Sequence, residues 1–425
     1  MTGSDDLPVV IGSSMSGLMV SLSLSSAGID HVLIGGPEPA AVPRLGESLN
    51  EAASPELWRR YGGKYPECFR IKSHISLMNG KVATMAHIAD PNRCMSRLKK
   101  YVASSPSEKR MSMARWYFAS LSGRWLLHVD RITLDRALYH EAIANPHCRF
   151  VQKHVTDVTF DRQSDRVEKI SLSDGNSLEQ PRFVFDTMGF RSFVASAADV
   201  VTKPISNEQY VVFNHYTCDD ETLLPKLWWR FGTNLLRPTE DVDGIEGISS
   251  LICTGRTVSL IVSLDADRFG DVPVADVLDR LRAAYQRRGI DYRRWFPGER
   301  TEQSIRHRYY MRDRGYGANW MLCGGTFANF WFPSSAGLWT NIVASELAPR
   351  MIREPQRYGQ YYEAAIRDLM PFHRHLEKMI FGKPFEREAD AYDFWSRWFA
   401  GVPGRFGQYL EIAYDRLNSI GPICH

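Results

Sequence analysis

The stretch VVIGSSMSGLMVSLSLSSAGIDHVLIGG, residues 9–36, decides the fold. Residues 7–12 are apolar and predict a short buried strand. Residues 16–27 predict a helix, and residues 31–35 a second short apolar strand. Strand, glycine turn, helix, strand is the opening of a parallel α/β sheet. In a dinucleotide-binding turn of this kind, Gly12 permits the sharp exit from the strand and Gly17 the close approach of helix to sheet. The free N–H groups of the helix start, around Ser14, Met15 and Ser16, then point at a diphosphate. Two positions depart from the pattern. Ser14 stands in place of the usual second glycine, and Gly35 stands where an acidic residue ordinarily holds the ribose hydroxyls. By itself the motif is weak.

The 425 residues suggest two closely joined domains, with 44% hydrophobic and 24% charged residues as in ordinary globular proteins. A net charge of +3 gives no argument for nucleic acid. Seven cysteines are scattered and never form a CxxC pair, so neither a disulfide framework nor a zinc site is expected. The opening MTGSDDLP lacks a basic segment followed by an apolar run, and no apolar run approaches the ~18 residues of a membrane span. Reduced thiols and a cytoplasmic location are the expectation. Arginines are dense at 287–295 and 306–315, which fits either a solvated surface or a docking face for an acidic protein or carrier.

Further along, residues 131–145 predict an amphipathic helix. Residues 149–161 and 167–178 predict a hairpin, with a turn at Asp174-Gly175. VFDTMG, 184–189, is a strand entering a glycine turn. Four segments within 209–265 predict one large mixed sheet over a pocket, and 275–289 a helix. NWMLCGG, 319–325, predicts a buried strand entering a glycine turn, with a helix after it. Residues 90–115 suggest a lid, and 355–425 a largely helical end.

Four pieces then fall in one order: GES at Gly46, Glu47 and Ser48; RxxLDxxL at Arg131, Leu134, Asp135 and Leu138; DxxGFR at Asp186, Gly189, Phe190 and Arg191; and a late strand, glycine turn and helix over 321–348. In combination this series resembles the FAD-dependent monooxygenases and flavin-dependent tryptophan halogenases, over roughly residues 8–350. The resemblance extends to the branch that modifies protein-bound tryptophan in quinone-cofactor biogenesis. It implies an α/β fold: a Rossmann-like FAD-binding domain of the aromatic-hydroxylase type, an inserted antiparallel β substrate domain and a helical C-terminal region. The implied FAD-binding domain comprises 1–70, 100–190 and 305–350. The substrate domain comprises 71–99 and 191–304, and the helical region 351–425.

The departures from the family cluster at the cofactor. The usual GD turn is Gly324-Gly325, without its aspartate, and the usual DP pair falls at Trp331-Phe332, although Pro333, Ser335 and Gly337 keep the helix entry. With Ser14 and Gly35, four positions that contact or flank FAD are altered, as in a protein that binds FAD weakly or transiently. Two-component members receive reduced flavin from a separate flavin reductase.

In the family, reduced flavin and O2 give a C4a-peroxide whose distal oxygen goes to an electron-rich substrate or to halide. The protein excludes water and places the substrate. The resemblance implies FAD contacts at Gly12, Ser14, Met15, Ser16, Gly17, Gly35, Arg44, Ser48, Arg131, Gly324, Gly325, Gly337 and Leu338. It puts the loops 44–48 and 333–337 beside the reacting ring, with Glu47 and Ser335 as catalytic candidates. Arg44 would offset the charge of reduced flavin or stand as a plain surface arginine. Lys72 lies near the place of the halogenase lysine, or is a solvated lysine beside a strand. The halogenase motif WxWxIP is reduced to Trp228-Trp229-Arg230-Phe231, which tells against halogenation. Among His74, His87, His215, His373 and His375, none is tied by spacing to a partner; His215, with Tyr216 on a pocket strand, is the choice for a general base.

The expected function is therefore flavin-dependent hydroxylation of an aromatic substrate, free or presented on a protein or carrier. The alternatives are a halogenase using Lys72 and a flavin-free scaffold that kept the fold.

Overall fold

The computed structural model describes residues 6–49, 53–71, 74–79, 82–87, 127–223, 233–237, 247–254, 256–300, 302–330, 336–370 and 373–374. Lys72, Trp228–Phe231, the proposed lid at 90–115, Trp331–Ser335 and everything after 374 lie outside them.

The first strand is Val9–Ile11, three fully buried β-branched residues. It sits in the middle of a five-stranded parallel sheet, ordered Trp320–Leu322, Val184–Asp186, Val9–Ile11, His31–Ile34, Cys148–Val151. The chain moves outward on one side of this strand first and on the other side later. That reversal opens a crevice at the carboxyl ends of the strands, where ligands of such sheets bind.

The helix Met15–Ser26 leaves the turn and is buried along nearly its whole length. It packs against the helices Arg131–Ile143 and Ala336–Met351 as well as the sheet. A helix covered on several sides has no polar face, which is why MSGLMVSLSLSS shows no clean apolar stripe. The expected hairpin begins later than the sequence suggests. Cys148–Val151 pairs in parallel with His31–Ile34, so the hairpin proper runs from Val155–Asp161 to Arg166–Leu172. Ser177–Glu179 closes that small sheet after a turn in which Gly175 has φ +83°.

The large sheet has eight strands and is mixed, as expected. Gln209–Thr217, Thr257–Asp265, Gly247–Cys253 and Thr233–Arg237 run antiparallel, and Thr233–Arg237 then pairs in parallel with His74–Asn79. Side chains alternate across it. Tyr210, Val212 and Tyr216 face the helix Val274–Arg287 and build a core with Leu278, Leu281 and Tyr285. Val211, Phe213, Ile252 and Ile261 face the other way and meet Leu45. The second face thus looks toward the loop that carries GES.

The helix Pro355–Arg367 continues the C-terminal region, and Tyr362 within it donates to Leu322 O and accepts from the Gly324 N–H. Cys68, Cys148, Cys218, Cys253 and Cys323 are buried free thiols. Among the described residues no helix is long and apolar enough to cross a membrane.

Candidate functional site

Three turns meet at the carboxyl ends of the parallel strands. In the first, Gly12 has φ +104°, and a Cβ there would come 2.5 Å from Thr187 Oγ1. Thr187 in turn donates to Ile11 O at 2.7 Å. A Cβ on Gly17 would strike the Gly12 carbonyl. Both glycines are therefore required by the packing of turn, helix and the neighbouring strand. Ser14 is exposed and its side chain does not cap the helix; the first intrahelical bond runs from Leu18 N–H to Ser14 O. The amides before Leu18 face the crevice end of a twelve-residue helix.

The second turn is DxxGFR. Asp186 is buried and accepts from Met188 N–H, Ser192 Oγ and Val194 N–H. Burial pushes its carboxyl above the usual range, against those hydrogen bonds and the Arg312 guanidinium. Its role in the fold is to hold the turn. The third turn is Gly324–Thr326, in which Gly324 has φ +56° and a Cβ would overlap Asn341 Oδ1. At Gly325 a Cβ meets nothing, so the turn keeps open space where the family places its aspartate.

Arg312 locks the second turn to the third. It is 3% exposed and donates to Phe190 O at 2.8 Å, to Gly189 O at 3.4 Å and to Thr326 O. The Gly189 N–H donates to Thr326 Oγ1 at 2.9 Å. The sequence offered Arg312 only as one arginine in a basic run. Several of its neighbours are also engaged: Arg306 and Arg308 reach Glu208, and Arg314 reaches Asp165.

The GES loop is held from several sides. Gly46 has φ +90°, and a Cβ there would stand 2.8 Å from Arg131 Nη1 and 3.8 Å from Leu338 Cδ1. Arg131 donates to Leu45 O and forks onto Asp135 at 2.9 and 3.0 Å. It thus fixes the loop from beneath. Arg44 Nε lies 3.8 Å from the same Asp135, and Arg44 Nη2 donates to Ala40 O. Ser48 bridges His128, and Arg300 reaches Ala41 O at 3.1 Å. Gly46 thus lies close to Leu338 in the helix Ala336–Met351, while residues 333–335 of the other loop expected beside the ring lie outside the described residues. Met15 is buried beside the first turn, and Gly337 is half-buried.

Glu47 and His215, singled out separately in the sequence, come together. Glu47 Oε1 is 3.2 Å from His215 Nε2, and each residue is 1% exposed. The approach has ion-pair distance without hydrogen-bond alignment: Glu47 Oε2 and both imidazole nitrogens have no hydrogen-bond partner. Ser259, directly across the strand pair from His215, has a buried Oγ that is also unpartnered. These polar groups share the sheet face of Phe213, Ile252 and Ile261, which Leu45 covers. A carboxylate, an imidazole and a hydroxyl lacking partners in an apolar setting are costly in a plain core. Together they offer several unused hydrogen-bonding atoms in one apolar pocket wall.

The residues present fit a dinucleotide's diphosphate. Gly12 and the first-turn amides would form its cradle, and Ser16 Oγ is a buried, unpartnered hydroxyl 3.2 Å from where a Cβ of Gly324 would stand. The ribose end lacks its acid, because Gly35 carries no side chain.

No family model and no curated protein matches the chain. Solved structures do match in fold. The p-nitrophenol 4-monooxygenase PnpA of Pseudomonas putida superposes with TM-score 0.63 at 15% identity, covering 97% of this chain and 98% of that one. PqsL of Pseudomonas aeruginosa in complex with 2-aminobenzoylacetate gives 0.66 at 14% identity, covering 93% and 99%. The tryptophan 6-halogenase SttH of Streptomyces toxytricini gives 0.65 at 12% identity, covering 95% and 83%. The chain therefore has the fold shared by flavin-dependent monooxygenases and tryptophan halogenases.

Proposed function

We propose that the chain is a flavin-dependent monooxygenase that hydroxylates an aromatic substrate, using reduced FAD supplied by a separate flavin reductase. The observation that carries this reading is the Glu47–His215 pair, buried without hydrogen-bond partners between the GES loop and an apolar sheet face.

FAD would be held at its diphosphate by Gly12, Ser14, Met15, Ser16 and Gly17, with Gly324 and Gly325 along its middle. Arg44, Ser48, Gly337 and Leu338 would border the flavin end, and Arg131 would support that border through Leu45 O. When bound and reduced, FAD supplies the electrons that activate dioxygen. The chain's own residues do the rest. With Nε2–H toward Glu47, His215 presents the Nδ1 lone pair to a substrate hydroxyl or amine and accepts its proton. Glu47 stabilises the imidazolium that results. Loss of that proton enriches the ring in electrons, and Leu45, Phe213, Ile252 and Ile261 exclude water from it. Lys72 and Ser335 remain candidates by position in the sequence alone. Presentation of the substrate on a protein or carrier is the larger-substrate form of the same proposal.

The test is aerobic turnover with chemically reduced FAD and a panel of phenols and anilines, read by mass spectrometry under 18O2. The expected product carries one labelled oxygen. Failure to bind FAD in either redox state overturns the proposal. A halide-dependent product lost in K72A replaces it with the halogenase reading.

A further inference from the structure

The position of the ribose-binding acid is not merely empty. Gly35 follows the strand His31–Ile34, and its N–H donates to Val151 O at 3.1 Å. Its φ lies outside the left-handed region, so its backbone conformation does not demand glycine. What excludes a side chain is Ser13. A Cβ on Gly35 would overlap both Cβ and Oγ of Ser13 and come within 3.0 Å of Ser13 N; no other residue is among its three nearest atoms. Positions 13 and 35 therefore compete for one volume, and the chain gives it to a serine in the diphosphate turn. The next carboxylate along the chain, Glu38, does not stand in for the missing acid. It is committed to Arg136 and His140.

We propose that Ser13 and Gly35 are a matched pair that deletes the ribose-binding carboxylate and makes FAD a dissociable ligand, held by its diphosphate and flavin ends only. This rests on the flavin dependence proposed above. A ribose held by a carboxylate gains charge-assisted hydrogen bonds. Their loss weakens binding by about 10- to 100-fold. A site without them suits a protein that takes up flavin reduced elsewhere and releases it after turnover. Trimming Ser13 removes both overlapping atoms and leaves a tight 3.0 Å approach to the backbone N of position 13 that must relax slightly; adding the acid alone leaves both overlaps in place.

The test compares wild type, S13G, G35E and S13G/G35E by calorimetric titration with FAD, with FMN, which lacks the adenosine ribose, as control. The expected result is FAD binding at least 10-fold tighter in S13G/G35E than in wild type, unchanged FMN binding, and no gain in G35E or S13G alone. Equal affinity in wild type and S13G/G35E overturns the pair and leaves the functional reading standing. So does a full gain in G35E alone. Flavin binding by S13G/G35E with none by wild type in either redox state upholds the competition for volume but overturns both the dissociable-ligand proposal and the functional reading. S13G/G35D is titrated beside it as the shorter acid. Thermal unfolding of all variants is followed in parallel, and loss of folding in both double variants overturns the shared-volume argument itself.

Discussion

Glu47 and His215 face each other at 3.2 Å in the interior, one on the loop after the second parallel strand and the other on Gln209–Thr217, next to the edge strands of the large sheet. Each is the other's only ionisable partner within ion-pair distance among the described residues. E47Q and H215Q are expected to lower kcat by about 10²–10⁴-fold while leaving the Kd for FAD unchanged. The double variant should fall little below either single one, because the two act as one unit. Steady-state hydroxylation assays with parallel flavin titrations check this; additive losses would assign the residues separate roles.

Arg312 is the tie between the DxxGFR turn and the Gly324–Thr326 turn. R312M leaves the carbonyls of Gly189, Phe190 and Thr326 without their shared donor. It also leaves Asp186 without a nearby cation. The expected cost is about 1–3 kcal/mol of stability, from buried carbonyls left without their donor. Denaturant unfolding measures it, and R312K should recover only part, since an ammonium cannot reproduce the planar fork.

Gly324 and Gly325 should respond oppositely to aspartate. At Gly325 a Cβ meets open space, so G325D is expected to keep the wild-type unfolding temperature within about 2 °C. At Gly324 the positive φ and the overlap with Asn341 should cost at least about 2 kcal/mol. Thermal unfolding of the two variants decides it.

Acid should destabilise the fold through two histidines. Burial pushes His307 and His373 down to about 4 from 6.5. The unfolded chain therefore takes up these protons first. The stability that the neutral rings contribute is complete above pH ~6.5 and is lost as pH falls toward ~4. His373 packs against Tyr309 and Phe330. H373F should reduce the stability lost between pH 7 and pH 4 by roughly 2 kcal/mol. Urea midpoints measured across that range check the sign and the size.

Much of the framework was legible because it is written in local pattern. The strand at Val9–Ile11, the helix at Met15–Ser26 and the strand at His31–Ile34 fall within a residue or two of their expected bounds. The helices Arg131–Ile143 and Val274–Arg287 do as well, and Ala336–Met351 follows the glycine turn as expected. Runs of buried residues and glycine turns carry that information in adjacent positions. The segment 148–151 was assigned to the wrong sheet because periodicity gives a strand but not its partner.

The sequence by itself determined the parallel sheet, the glycine turn that opens it and the order of the motifs. It also marked Glu47, His215, Gly35 and Gly325 as positions of interest. Tertiary structure decided what those positions do. Glu47 meets His215 only because Leu45 seats its loop on one face of the large sheet, and the strand register puts His215 on that face. Ser13 excludes a side chain at Gly35 only because two adjacent parallel strands bring their carboxyl ends together. Arg312 becomes a turn lock because its strand ends beside two separate turns. Such contacts depend on register and close packing between distant segments, and no local pattern of residues encodes them.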